Sequence, residues 1–220
     1  MTQKYTILFD LDGTLVDTAP DLMAAHNHVM KKFGHEKKQL SDIKTLAGKG
    51  AWVMMQRSFK KEIQDENLKK EMTKEFIDFY SKNIDKESQP IKGVFNFLKW
   101  AKSKNISMAV CTNKQERLAV DLLKKLNMYD YFEYTAGSDT FEFNKPDPRH
   151  LTNVVEIIGG NLDKTIMVGD SEVDAMSADN AKLPFILVEN GYTEKTTKEI
   201  KHNVLIKNFV NFEKVIENYL

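Results

Sequence analysis

The chain has 220 residues, and its 32 basic and 32 acidic side chains cancel to a formal net charge of +0, which removes the overall attraction expected of a protein that binds nucleic acid or an anionic membrane surface. Any affinity for phosphate must then be local. No apolar run approaches the roughly twenty residues that a bilayer span requires, the single cysteine cannot close an internal disulfide, and no signal-type segment precedes the first apolar run, so a cytoplasmic location is expected and oligomeric state is left open.

Residues 5–9 read as a buried strand. At its end Asp10 and Asp12 stand two positions apart, and Gly13 lets the backbone turn away. Two carboxylates this close disfavour each other's ionisation unless a cation or a shared proton lies between them. From Leu15 to about Ser88 the pattern is helical, with amphipathic stretches at 19–33, 51–59 and 67–84 and no expected strand. The Lys/Glu runs at 60–62 and 69–71 read as solvated helix faces. This block of about 70 residues is too long for one crossover. It predicts a helical cap spanning 15–88, inserted into a core made of 1–14 and 89–220.

Beyond Gln89-Pro90 the signals alternate. Helices are expected at 94–104, 114–126, 148–158 and 173–181 and from 208 onward. Strands are expected at 106–111, 131–135, 165–168, 185–188 and 204–206. The alternation implies βα units and an α/β fold with a Rossmann-like parallel sheet. In such sheets the carboxyl ends of the strands share one crevice. Thr112-Asn113, Lys145-Pro146-Asp147-Pro148 and Gly169-Asp170-Ser171-Glu172-Val173-Asp174 should therefore face Asp10 and Asp12.

Acids, a lysine, a hydroxyl and backbone amides together are the parts needed to hold Mg²⁺ and a phosphate, because Mg²⁺ takes hard oxygen ligands and keeps several waters. Asp10 and Asp170 are the expected metal side chains, with Asp12 contributing its backbone carbonyl and Asp174, with Ser171, orienting the ligands. Gly48-Lys49-Gly50 is the candidate cap loop at the crevice, where Lys49 would pair with a second anion on the substrate. Cys111 reads as a buried small hydrophobe.

The ordered set Asp-x-Asp-Gly-Thr at 10–14, Thr112, Lys145 and Gly-Asp-x-x-x-Asp at 169–174 closely resembles the haloacid-dehalogenase-like hydrolase superfamily, over the whole chain. Within it, residues 9–22, Cys-Thr-Asn-Lys at 111–114 and Lys-Pro-Asp-Pro at 145–148 look like the phosphoglycolate phosphatase group, apart from Lys49, where asparagine is the expectation. The resemblance implies an aspartyl-phosphate route. Asp10 would be the nucleophile and Asp12 the proton carrier, while Thr112, Asn113 and Lys145 hold the phosphoryl group of a small phosphorylated metabolite. A sugar-phosphate mutase is the nearest rival, and a catalytically silent phosphate- or partner-binding module is the reading from another class.

Overall fold

The structure, a computed structural model, describes residues 4–59 and 65–219. Six parallel strands form the main sheet in the order β5-β4-β1-β6-β7-β8: β1 is Thr6–Phe9, β4 Ser107–Cys111, β5 Tyr134–Ala136, β6 Thr165–Gly169, β7 Phe185–Val188 and β8 Val204–Ile206. Both faces are covered, so the strands are apolar at successive positions rather than at alternate ones. Ile7, Phe9, Met108, Val110, Ile166 and Val168 join one core cluster, and Leu8, Ala109, Cys111 and Met167 join the other. Helices α5 (Val94–Ser103), α6 (Glu116–Lys125) and α9 (Phe212–Ile216) send side chains into the first cluster; α7 (Arg149–Ile157) and α8 (Glu172–Asn180) send theirs into the second.

The register sets up the crevice. Phe9 is level with Val110 on one side and Val168 on the other. Strands β1, β4 and β6 therefore finish nearly flush, and the residues that follow them meet at one edge.

Between the first strand and the rest of the sheet lie α1 (Ala19–Lys32), α2 (Ile43–Leu46), α3 (Ala51–Arg57) and α4 (Glu66–Lys82), with α1 and α3 packed along α4. Leu22, Met54, Met72, Phe76 and Tyr80 bury the inner faces of these helices. Where the chain leaves and re-enters the core, β2 (Val16–Asp17) pairs antiparallel with β3 (Gln89–Pro90), and Ile91 N–H donates to Leu15 C=O at 2.9 Å. The buried Asp21 carboxylate accepts from the Glu87 and Ser88 amides and from the Ser88 hydroxyl, stapling the start of α1 to the returning segment.

Several expectations are corrected. The pattern gave no strand between 15 and 88, yet β2 begins at Val16; two residues are too few to show alternation. The strand placed at 131–135 starts at Tyr134, because Tyr129–Tyr131 closes a 3-10 turn. The last helix begins at Phe212 rather than 208, since the Phe209 amide is drawn to the Lys92 carbonyl. Lys69 is buried rather than solvated, its ammonium 4.5 Å from the Trp52 ring centroid and paired with Glu66. The run at 60–62 lies outside the described residues.

Candidate active site

Asp10 follows β1, and its amide still donates to Val168 C=O at 2.9 Å, which fixes the carboxyl at the mouth of the sheet. The Lys145 ammonium reaches the same point from the loop before α7. It donates to Asp10 Oδ1 at 2.8 Å and to Asp174 Oδ1 at 2.6 Å, with all three residues buried. The other Asp174 oxygen accepts from the Ser171 amide and hydroxyl, at 3.1 and 2.6 Å, so Asp174 is held by the start of its own helix. Asp170 follows β6 and accepts from the Thr14 hydroxyl at 3.1 Å and the Tyr192 amide at 2.6 Å. Gly13 is at φ +83°, and a Cβ there would stand 2.5 Å from Asp170 Oδ2; glycine is what lets the turn after β1 come so close.

Asp10, Asp170 and Asp174 bring carboxylate oxygens within 4.8 Å of one another. Burial, opposed by the Lys145 charge and reinforced by Asp174, raises the Asp10 pKa to about 6. Burial and the charges of Asp174 and Asp10 push Asp170 well above the carboxylate range. Burial works against the Lys145 charge, but its two carboxylates prevail and its pKa is raised. Three buried acids facing one ammonium leave negative charge uncompensated, and the donors are hard oxygens. That donor set fits a divalent cation of the Mg²⁺ class.

Asp12 is held apart from this cluster. Its Oδ1 accepts from the Thr18 hydroxyl at 2.7 Å, and the Lys114 ammonium donates to Oδ1 and Oδ2 at 2.8 and 2.7 Å. Lys114 is buried in turn, with its nitrogen 4.6 Å from the centroid of the Tyr80 ring on α4. Thr112, buried after β4, accepts the Lys114 amide at 3.2 Å, so its single O–H remains available to donate to a ligand. The Asn113 side-chain amide donates to the Lys145 carbonyl at 3.0 Å and to the Gly48 carbonyl at 3.4 Å. The Gly48-Lys49-Gly50 loop is thereby set against the core.

A cavity of about 360 Å³ lies between the helices and the sheet, lined among others by Asp10, Asp12, Thr112, Lys114, Trp52 and Tyr80. Lys49 also lines it, but that side chain is 40% exposed and its ammonium is 4.0 Å from Glu172. Sequence reasoning gave no role to Lys114, Thr18, Tyr80 or Tyr192. Two of them carried a signal: Thr18 lies within the match at 9–22, and Lys114 is the last residue of the Cys-Thr-Asn-Lys match. Cys111, fully buried in β4, has its thiol pushed up to about 12 by burial and is no nucleophile.

A family model described as haloacid dehalogenase-like hydrolase matches residues 7–188. A phosphoglycolate phosphatase of Agrobacterium fabrum is 40% identical over 217 residues, covering 95% of this chain and 93% of the relative. One from Caulobacter vibrioides is 36% identical over 95% of this chain and 89% of its own length. The crystal structure of a predicted phosphoglycolate phosphatase from Haemophilus somnus superimposes with a TM-score of 0.91 at 26% identity, covering 98% of this chain and 99% of that one.

Proposed function

The chain belongs to the haloacid dehalogenase-like hydrolases, and from that premise we propose that it is a Mg²⁺-dependent phosphatase that hydrolyses 2-phosphoglycolate through an aspartyl-phosphate on Asp10. One observation carries the reading: the flush ends of β1 and β6 put Asp10 beside Asp170, while Asp12 is held separately by Thr18 and Lys114. The names of the two curated relatives support the choice of ester.

Asp10 and Asp170, with the Asp12 backbone carbonyl, would hold the cation, which when bound neutralises charge between the nucleophile and the phosphoryl oxygens. Asp10 attacks phosphorus in line. Lys145 spends two of its three N–H groups on Asp10 and Asp174, and the third, with the Thr112 hydroxyl, is left for phosphoryl oxygens. Asp12 protonates the departing alkoxide, a poor leaving group when charged. The same carboxylate then takes a proton from the water that cleaves the aspartyl-phosphate, releasing inorganic phosphate and restoring Asp10. Residues 15–88 act as the cap and residues 1–14 with 89–220 as the core, joined across the β2–β3 pair.

The test is phosphate release from 2-phosphoglycolate, sugar phosphates and nucleotides with Mg²⁺ and with chelator. The expected result is the highest kcat/KM on 2-phosphoglycolate, lost with chelator and regained with Mg²⁺. Isomerised sugar phosphate without phosphate release would overturn it.

A further inference from the structure

Resting on the reading of the chain as a phosphatase for 2-phosphoglycolate, we infer that Lys114, from the floor of the cavity, binds the substrate's carboxylate and so selects esters of small α-hydroxy acids. Among the described residues, four charged side chains line the cavity: Asp10, Asp12, Lys49 and Lys114. A second anion on the substrate needs a cation, and among the described residues of the wall the two lysines supply it. Lys49 stands at the rim, with its side chain 40% exposed and its ammonium leaning to Glu172. An ion pair in that position is screened by water and discriminates weakly. The Lys114 side chain is 5% exposed, and a charge-assisted hydrogen bond in such a place is far stronger than one at a wet rim.

Position decides as much as burial. A leaving oxygen protonated by Asp12 lies within hydrogen-bond reach of that carboxyl, and Asp12 is 2.7 Å from the Lys114 nitrogen, so the ester oxygen falls within about 6 Å of the ammonium. In a 2-phospho acid the carboxylate is borne by the same carbon as the ester oxygen, a spacing that spans the gap. Two of the three Lys114 N–H groups go to Asp12, and the third is left for the substrate. Tyr80 covers the ammonium from the cap with its ring face. Two buried polar atoms in the same wall, Tyr80 Oη and Asn113 Oδ1, have no hydrogen-bond partner among the described residues. Such atoms are rare in a native interior, and a bound water or ion beside them is one explanation.

The experiment compares 2-phosphoglycolate with ethyl phosphate, an ester with the same number of carbons and no carboxylate, in the wild-type protein, Lys114→Met, Lys114→Gln and Lys114→Arg. The wild type should prefer 2-phosphoglycolate. In Lys114→Met the ratio of the two kcat/KM values should fall by about 10- to 100-fold, the range of one lost hydrogen bond to a charged group, mainly through KM for the acid ester. Lys114→Arg keeps the cation and should keep most of the preference, and Lys114→Gln, which keeps a donor without the charge, serves if Lys114→Met does not fold: its ratio should fall several-fold, and an unchanged ratio in Lys114→Gln would overturn the inference. Equal losses on both esters in Lys114→Met would reduce Lys114 to a support for Asp12, leaving the phosphatase reading intact. No preference in the wild type would overturn the choice of ester and the role of Lys114 together.

Discussion

Lys145 and Lys114 are both buried lysines at the mouth of the same sheet, and each gives two N–H groups to carboxylates, but their surroundings differ. Lys145 lies between two buried acids supplied by the core, Asp10 and Asp174. Lys114 meets one acid, Asp12, at the bottom of a cavity and under an aromatic ring from the inserted helices. Desolvation makes the first arrangement costly to disturb, because removing one partner strands a charge in the interior. The second leaves its cation facing open volume. On the proposed reading the chemistry of phosphorus falls to the first lysine and the reading of the leaving group to the second.

The largest effect is expected at the nucleophile. Asp10→Asn removes the attacking oxygen at little change in volume, so kcat should fall by at least about 10⁴-fold while thermal unfolding stays cooperative; rates near wild type would move the nucleophile elsewhere. Asp12→Asn should cost about 10² to 10⁴-fold, the usual weight of general acid–base catalysis. Its mark is a slower burst as well as slower turnover, because on the proposed reading one residue serves both half-reactions. In stability the order reverses toward Lys145: Lys145→Met leaves Asp10 and Asp174 uncompensated and should cost about 3–5 kcal/mol in denaturant unfolding without metal. Lys114→Met should cost less, since Asp12 is partly exposed and keeps Thr18.

A pH series separates the two lysines further. An unfolded aspartate releases its proton near pH 4, whereas folded Asp10 keeps its proton up to about 6. Between those values the folded state holds the extra proton, so Asp10's contribution to metal-free stability declines as pH rises through the window. On the proposed reading Mg²⁺ would compete with that proton. The rise in Tm on adding Mg²⁺ should therefore be small at pH 5 and larger at pH 7.5, in the wild type and in Lys114→Met alike. A rise independent of pH would remove the raised carboxyls, Asp10 and Asp170, from the cation site.

The two regions were also unequally legible in the sequence. The core side could be read because each of Asp10, Thr112 and Asp170 directly follows a strand with an unbroken apolar run, and parallel register carries such positions to one edge. Lys145 was legible from the two prolines that follow it, Pro146 and Pro148. Lys114 bonds to a residue 102 positions away, and at the start of an amphipathic helix it looks like any surface lysine. Tyr192 is a similar case. It lies in the loop after β7, outside any periodic pattern, yet its hydroxyl donates to Asp17 and accepts the Thr18 and Ala19 amides while its own amide holds Asp170. Tyr80 is one more buried aromatic on a helix, and its period gives burial without saying that its ring lies over a cation.

The smallest effect is expected at Lys49, and it separates the rim from the floor of the cavity. The Gly48-Lys49-Gly50 loop is held by its backbone: Gly48 C=O accepts from Asn113, and Gly50, at φ +82°, brings its Cα so near the Asn113 carbonyl that a Cβ would stand 3.2 Å from it. The side chain between them is not needed for that contact. Lys49→Ala should leave folding untouched and lower kcat/KM no more than about three-fold, by the same factor for 2-phosphoglycolate and ethyl phosphate, with the loss fading at higher salt as it does for an exposed charge. Gly50→Ala tests the backbone instead, because its strained φ and the close carbonyl push the loop off the core; it should lower turnover on both esters more than Lys49→Ala does. A selective loss on 2-phosphoglycolate in Lys49→Ala would instead place the reading of the carboxylate at the rim, with Lys114 kept for Asp12.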